Sequence, residues 1–68
     1  MNYLLEALIK KLEGEVAMAK ANIDVYMKNP AGIGEHPDLV QAVDTQIEVI
    51  ANAEEKIETI TKHIESNT

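Results

Sequence analysis

Two stretches of the chain carry the same heptad spacing of apolar residues, and this spacing restricts the fold more than any other feature. In both stretches the steps alternate between four and three residues, which is typical of the apolar seam of a left-handed coiled coil. The first seam consists of Leu5, Ile9, Leu12, Val16, Ala19, Ile23 and Tyr26. The second seam consists of Leu39, Val43, Gln46, Ile50, Ala53, Ile57, Ile60 and Ile64.

One antiparallel register pairs the two seams along their whole length. In this register Leu5 faces Ile64 at one end, and Tyr26 faces Val43 at the other. The sequence therefore predicts an all-α fold, an antiparallel two-helix hairpin that forms a single domain over residues 1–68. Helix 1 is expected at about residues 3–28, the turn at about 29–36 and helix 2 at about 37–65.

Helix ends and breaks are marked by specific residues. Asn2 is placed to cap helix 1, and Pro30 ends that helix because proline disfavours the helical conformation of the residue before it. Pro37 suits the first position of helix 2, with Asp38 at the positive end of the helix dipole. Gln46 either lies in the seam, where a polar residue can set the register, or leaves Ile47 to turn inward.

A second apolar line outside the seams indicates self-association. A chain of 68 residues without cysteine has a small core, and such cores rarely supply more than about 3–5 kcal/mol without disulfides, metals or oligomerisation. We expect a homodimer in which two hairpins form a four-helix bundle. Lys11 and Glu15 interrupt the line, and scattered surface hydrophobes are the alternative interpretation. The predicted oligomer or partner face consists of Leu4, Leu8, Met18, Val25, Val40 and Ile47.

The net charge of −6 comes mainly from the second half of the chain. An acidic surface argues against direct binding to nucleic acid or to an anionic membrane, since both require basic residues. No apolar run is long enough to span a membrane and no signal-peptide pattern is present, so we expect a cytoplasmic protein. The acidic helix 2 either meets a basic partner surface or is a solvated face.

No arrangement of residues predicts catalysis, a cofactor or a metal. Glu54, Glu55 and Glu58 form the densest carboxylate group, but metal sites in helical bundles add a Glu-x-x-His pair. Neither His36 nor His63 has a glutamate three residues before it. We therefore expect a protein that is not an enzyme.

The segment AKANIDVYMKNPAGIGEHPDL, residues 19–39, resembles one in small uncharacterised α-helical hairpin proteins of tailed phages, particularly marine ones. The resemblance rests on the helix end at 26–29 and the turn at 32–38, and covers about a third of the chain. It brings no activity and no functional residues. It implies a phage origin, the bacterial host cytoplasm as the compartment, and an accessory role in binding a host factor.

The turn has two interpretations. Its glycines and prolines can simply make the turn, or Ile33, Glu35 and His36 can form a contact point for a partner. For the whole chain, the leading hypothesis is a non-enzymatic module for protein–protein interaction or assembly. The alternatives are an acidic inhibitor that occupies a basic site of a nucleic-acid-binding protein, and a structural component of a larger particle.

Overall fold

The computed structural model describes residues 2–28 and 38–64, and it contains two helices that pack against each other as a hairpin. Helix α1 spans Tyr3–Lys28 and helix α2 spans Leu39–His63. The molecule measures 49 × 16 × 14 Å, so it is a rod two helices wide. The predicted turn at 29–36 lies outside the described residues.

Helix α1 begins with the predicted side-chain cap. The Asn2 Oδ1 atom accepts hydrogen bonds from the backbone N–H groups of Leu4 at 2.8 Å and Leu5 at 3.1 Å. These N–H groups have no partner inside the helix, because the first turn lacks carbonyl groups before it. The prediction for Asn2 is thus confirmed.

Helix α2 begins at Leu39, two residues later than the predicted position 37. The reason is that Asp38 acts as the N-cap, where its Oδ1 atom accepts a hydrogen bond of 2.8 Å from the backbone N–H of Gln41. Aspartate is among the preferred N-cap residues, since its carboxylate satisfies a free N–H group and faces the positive helix end.

The apolar core lies in the half of the hairpin that holds the start of α1 and the end of α2. Leu12, Ala53 and Ile60 are buried there. Four half-buried seam residues pack against them, namely Leu5, Ile9, Val16 and Ile57. Ala19, nearer the other end, is also buried. The seam residues from Leu5 to Ile60 are all buried or half-buried, whereas Ile64 is exposed.

Gln46 lies in the seam, and Ile47 does not turn inward. Gln46 is half-buried while Ile47 is 50% exposed. The Gln46 Oε1 atom accepts a hydrogen bond of 3.2 Å from Asn22 Nδ2 across the two helices. A polar group in a half-buried seam needs such a partner, because leaving it unpaired costs free energy.

Candidate interaction surfaces

Two broad faces flank the seam of the hairpin. We give the seam residues the heptad letters a and d and call all residues with one letter a column. Columns g and c then lie on one side of each helix, and columns e and b lie on the other. Because the helices run in opposite directions, equal letters share a side. Three contacts fix the sides: Leu8 lines one groove with Lys56, Glu15 is attracted by Lys56, and Met27 lines another groove with Val40.

The first side carries few charges, and we call it the neutral face. Among the described residues its charged groups are Lys11, Glu15 and Lys56, with a sum of +1. Its large exposed apolar side chains all belong to α1, and Met18 is 65% exposed. The neutral face consists of Leu4, Leu8, Lys11, Glu15, Met18, Asn22 and Val25 from α1, with Ala42, Thr45, Val49, Asn52, Lys56, Thr59 and His63 from α2.

The two charged residues that interrupt the apolar line of α1 bind each other. Lys11 Nζ lies 2.6 Å from Glu15 Oε2, and the Glu15 side chain is only 33% exposed. The hydrogen bond from Lys11, together with the charges of Lys11 and Lys56, holds the pKa of Glu15 below its ordinary value, although desolvation acts in the opposite direction. Because Lys11 and Glu15 are paired, both charges can lie on a face that has few other charged residues.

The second side is strongly acidic, and we call it the acidic face. Among the described residues it carries six carboxylates and two lysines, a sum of −4. Lys10 forms a long ion pair with Glu13, at 3.9 Å. The acidic face consists of Tyr3, Glu6, Lys10, Glu13, Ala17, Lys20, Asp24 and Met27 from α1, with Val40, Asp44, Ile47, Ala51, Glu54, Glu58 and Thr61 from α2.

The structure divides the predicted oligomer face between these two surfaces. Its four α1 residues, Leu4, Leu8, Met18 and Val25, lie on the neutral face. Its α2 residues Val40 and Ile47 belong to the acidic face. All six are exposed, with Leu8 the least exposed at 39%. The other predicted contact residues, Ile33, Glu35 and His36, lie outside the described residues.

Sequence reasoning missed two exposed side chains of the acidic face, Tyr3 and Met27. Met27 is 71% exposed and borders a shallow apolar groove with Tyr26, Leu39, Val40 and Val43. Heptad letters assigned to every residue would have found Met27, since it occupies column e beside the seam. A search for a single apolar line along the helices does not include Met27.

Groups that carry chemistry do not converge in the part of the chain that the structure describes. No cluster of three or more histidine or carboxylate side chains suited to a metal ion occurs in residues 2–28 and 38–64. Within the same residues, neither helix combines the length and apolar character that a membrane-spanning segment needs. The neutral face and the acidic face are the candidate interaction surfaces.

Compared with protein-family models, curated proteins and solved structures, the chain gives no match.

Proposed function

We propose that this chain is a non-enzymatic protein-interaction module that works as a dimer of hairpins, assembled as a four-helix bundle. The observation that carries the proposal is the surplus of exposed apolar surface on a rod only two helices wide. Leu4 and Met18 are 81% and 65% exposed, and seven further large apolar side chains of the described residues are exposed as well. A monomeric soluble protein seldom leaves so much apolar surface uncovered.

The accessible area of the chain supports association. The chain exposes 5270 Å², whereas a compact monomer of its 7.5 kDa mass would expose about 4,200 Å². A compact dimer of twice this mass would expose about 7,000 Å², so that two hairpins would together bury about 3,500 Å². This area falls within the range of about 2,000–5,000 Å² that is usual for obligate homodimers.

Molar mass in solution tests the proposal. Light scattering on a size-exclusion column, at several protein concentrations, should give twice the 7.5 kDa of one chain. A dimer is expected because the stability of so small a core depends on further burial. A folded species with the mass of a single chain at every concentration would refute it.

The acidic face favours a second candidate function, binding to a basic protein surface in the manner of an acidic inhibitor. With a sum of −4 against the +1 of the neutral face, it would attract a lysine-rich partner over a distance set by the salt concentration. Met27, Val40 and Ile47 would add apolar contacts within it. In this proposal the partner is a host factor and the chain a phage accessory protein, as the resemblance implies.

A basic helical peptide is a suitable probe for this second function. The double variant Glu54→Gln/Glu58→Gln removes two charges of the acidic face and should weaken binding of the peptide. The matched control, Glu48→Gln/Glu55→Gln, removes two charges from the outer side of the same helix. Equal loss of peptide binding in both variants would mean that net charge alone attracts the peptide, and the acidic face would lose its role.

A further inference from the structure

The two faces of the hairpin differ in their number of charged residues, as a buried surface differs from a solvated one. Interfaces contain fewer lysine, glutamate and aspartate residues than the rest of a protein surface does. The neutral face has three charged residues, two of which bind each other, and the acidic face has eight. If two acidic faces met, their sums of −4 would repel each other in a region of reduced dielectric. The charge distribution thus selects the neutral face for contact with a second copy.

The order of residues along α1 also fits a second copy. Read along the helix, the neutral face of α1 has two apolar residues, then Lys11 and Glu15, and then Met18 and Val25 with Asn22 between them. A dimer with two-fold symmetry requires a surface that complements itself, so that residue i contacts j and j contacts i. An apolar–charged–apolar order satisfies this condition when the central charges have opposite signs.

Only one relative direction of the two α1 helices brings opposite charges together. In an antiparallel pair centred between Lys11 and Glu15, the Lys11 of each copy faces the Glu15 of the other, and Leu8 faces Met18. In a parallel pair Lys11 would face Lys11 and Glu15 would face Glu15. Like charges in an interface cost free energy, and the cost grows as water is excluded.

We infer that a second copy of this chain docks on the neutral face with the two α1 helices antiparallel, forming a ring of four alternating charges from Lys11 and Glu15 of both copies. The inference rests on the proposed dimer, and it adds which face forms the interface and how the two α1 helices are directed. Leu8 and Met18 are covered in this arrangement and Leu4 faces Asn22, whereas Val25 lies beyond the start of the facing α1. The acidic face, which includes Val40, Ile47 and Met27, stays available to a different partner.

A matched pair of variants tests which face is buried. Met18→Glu places a charge on the neutral face and Ile47→Glu places one on the acidic face, at residues that are 65% and 50% exposed in the hairpin. Met18→Glu should raise the dissociation constant of the dimer about a hundredfold or more, because it buries an unpaired charge. Ile47→Glu should change it by less than about threefold. Sedimentation equilibrium measures both constants.

The outcomes separate this inference from the proposed function. Wild-type protein with the mass of one chain would overturn both. A wild-type dimer that Ile47→Glu dissociates as strongly as Met18→Glu would overturn the interface alone. Circular dichroism accompanies each measurement, and a loss of helix specific to Met18→Glu counts as dissociation, since the hairpin leaves Met18 exposed to solvent.

Mixing two charge variants tests the ring of charges and does not depend on either variant folding alone. Lys11→Glu makes the four charges of the ring negative, and Glu15→Lys makes them positive beside the positive charge of Lys56, so each variant should dimerise poorly. Mixed in equal amounts, the two should form a heterodimer with the wild-type mass and helix content, because opposite charges again face each other. A mixture that recovers neither the wild-type mass nor the wild-type helix content would overturn the charge ring.

A cross-link tests the direction of the helices. The described residues and the rest of the chain contain no cysteine, so a cysteine can be introduced without interference. Mixed Leu8→Cys and Met18→Cys variants should form a disulfide between copies if the α1 helices are antiparallel. Efficient cross-linking of Leu8→Cys to itself, in place of the mixed product, would indicate a parallel pair and overturn the inferred direction.

Discussion

At the scale of single residues, Lys11 and Glu15 show how a pair of charges fits a weakly charged surface. Their spacing of four residues brings them together on one turn of α1, where Lys11 Nζ lies 2.6 Å from Glu15 Oε2. Glu15 gains a hydrogen bond and the attraction of Lys11 and Lys56, which lower its pKa. The ionised form of Glu15 is therefore favoured in the folded state.

The lowered pKa of Glu15 predicts a pH-dependent contribution to stability. A carboxyl group whose pKa is lower in the folded state stabilises the fold above its unfolded pKa, and this contribution is lost as the pH falls through the folded value. Glu15→Gln should therefore destabilise the protein at about pH 7 and have little effect at about pH 3. Urea unfolding followed by circular dichroism measures the difference, with Glu13→Gln as the control. An equal effect at both pH values would contradict the role of charge.

At the scale of the helix, the ends of α1 and α2 are determined by short side chains that bind backbone N–H groups. Asn2 and Asp38 both accept hydrogen bonds from the first turn that follows them. The cap of α1 could be predicted from the sequence, because Asn2 stands three residues before Leu5, the first residue of the seam. The sequence predicts the start of α2 at about residue 37, two residues before Leu39, because Pro37 and Asp38 both suit the first turn and the sequence does not say which of them begins it.

The cap at Asp38 predicts the cost of its removal. Asp38→Ala should lower the free energy of unfolding by about 1 kcal/mol, since it leaves the N–H group of Gln41 without its side-chain acceptor. Asp38→Asn should restore most of the loss, because asparagine caps about as well as aspartate. Thermal unfolding at fixed protein concentration compares the two. Asp44→Ala, on the exposed surface of the same helix, serves as the control and should change stability less.

At the scale of the whole molecule, charge divides the surface into two sides, and this division decides which apolar residues belong together. The seams and the hairpin could be predicted from heptad spacing, which depends only on distances along the chain. The grouping of Leu4 and Met18 with Val40 and Ile47 does not follow from seam spacing. Separating them requires a heptad letter for every residue and the antiparallel direction that the seams predict. Which columns share a side depends on the relative direction of α1 and α2, so every residue must be placed on the paired helices.

The net negative charge of the chain predicts how salt affects association. Two chains that each carry −6 repel one another, and raising the ionic strength from about 0.01 M to about 0.15 M screens this repulsion. The dimer should therefore become tighter as salt is added, while charges inside the interface are screened less. Binding of a basic peptide to the acidic face should become weaker over the same range. A dimer that dissociates as salt is added would contradict the neutral interface.

The position of the buried cluster has a consequence for the motions of the hairpin. Leu12, Ala53 and Ile60 lie away from Lys28 and Leu39, the helix ends that residues 29–37 connect in the chain. The covalent link therefore keeps the helices close at one end, and apolar packing does so at the other. Neither acts strongly near Asn22 and Gln46, where a hydrogen bond crosses the seam. We expect fluctuations that separate the helices to begin around Asn22 and Gln46, and the slowest amide hydrogen exchange to occur in the helical turns around Leu12 and Ile57.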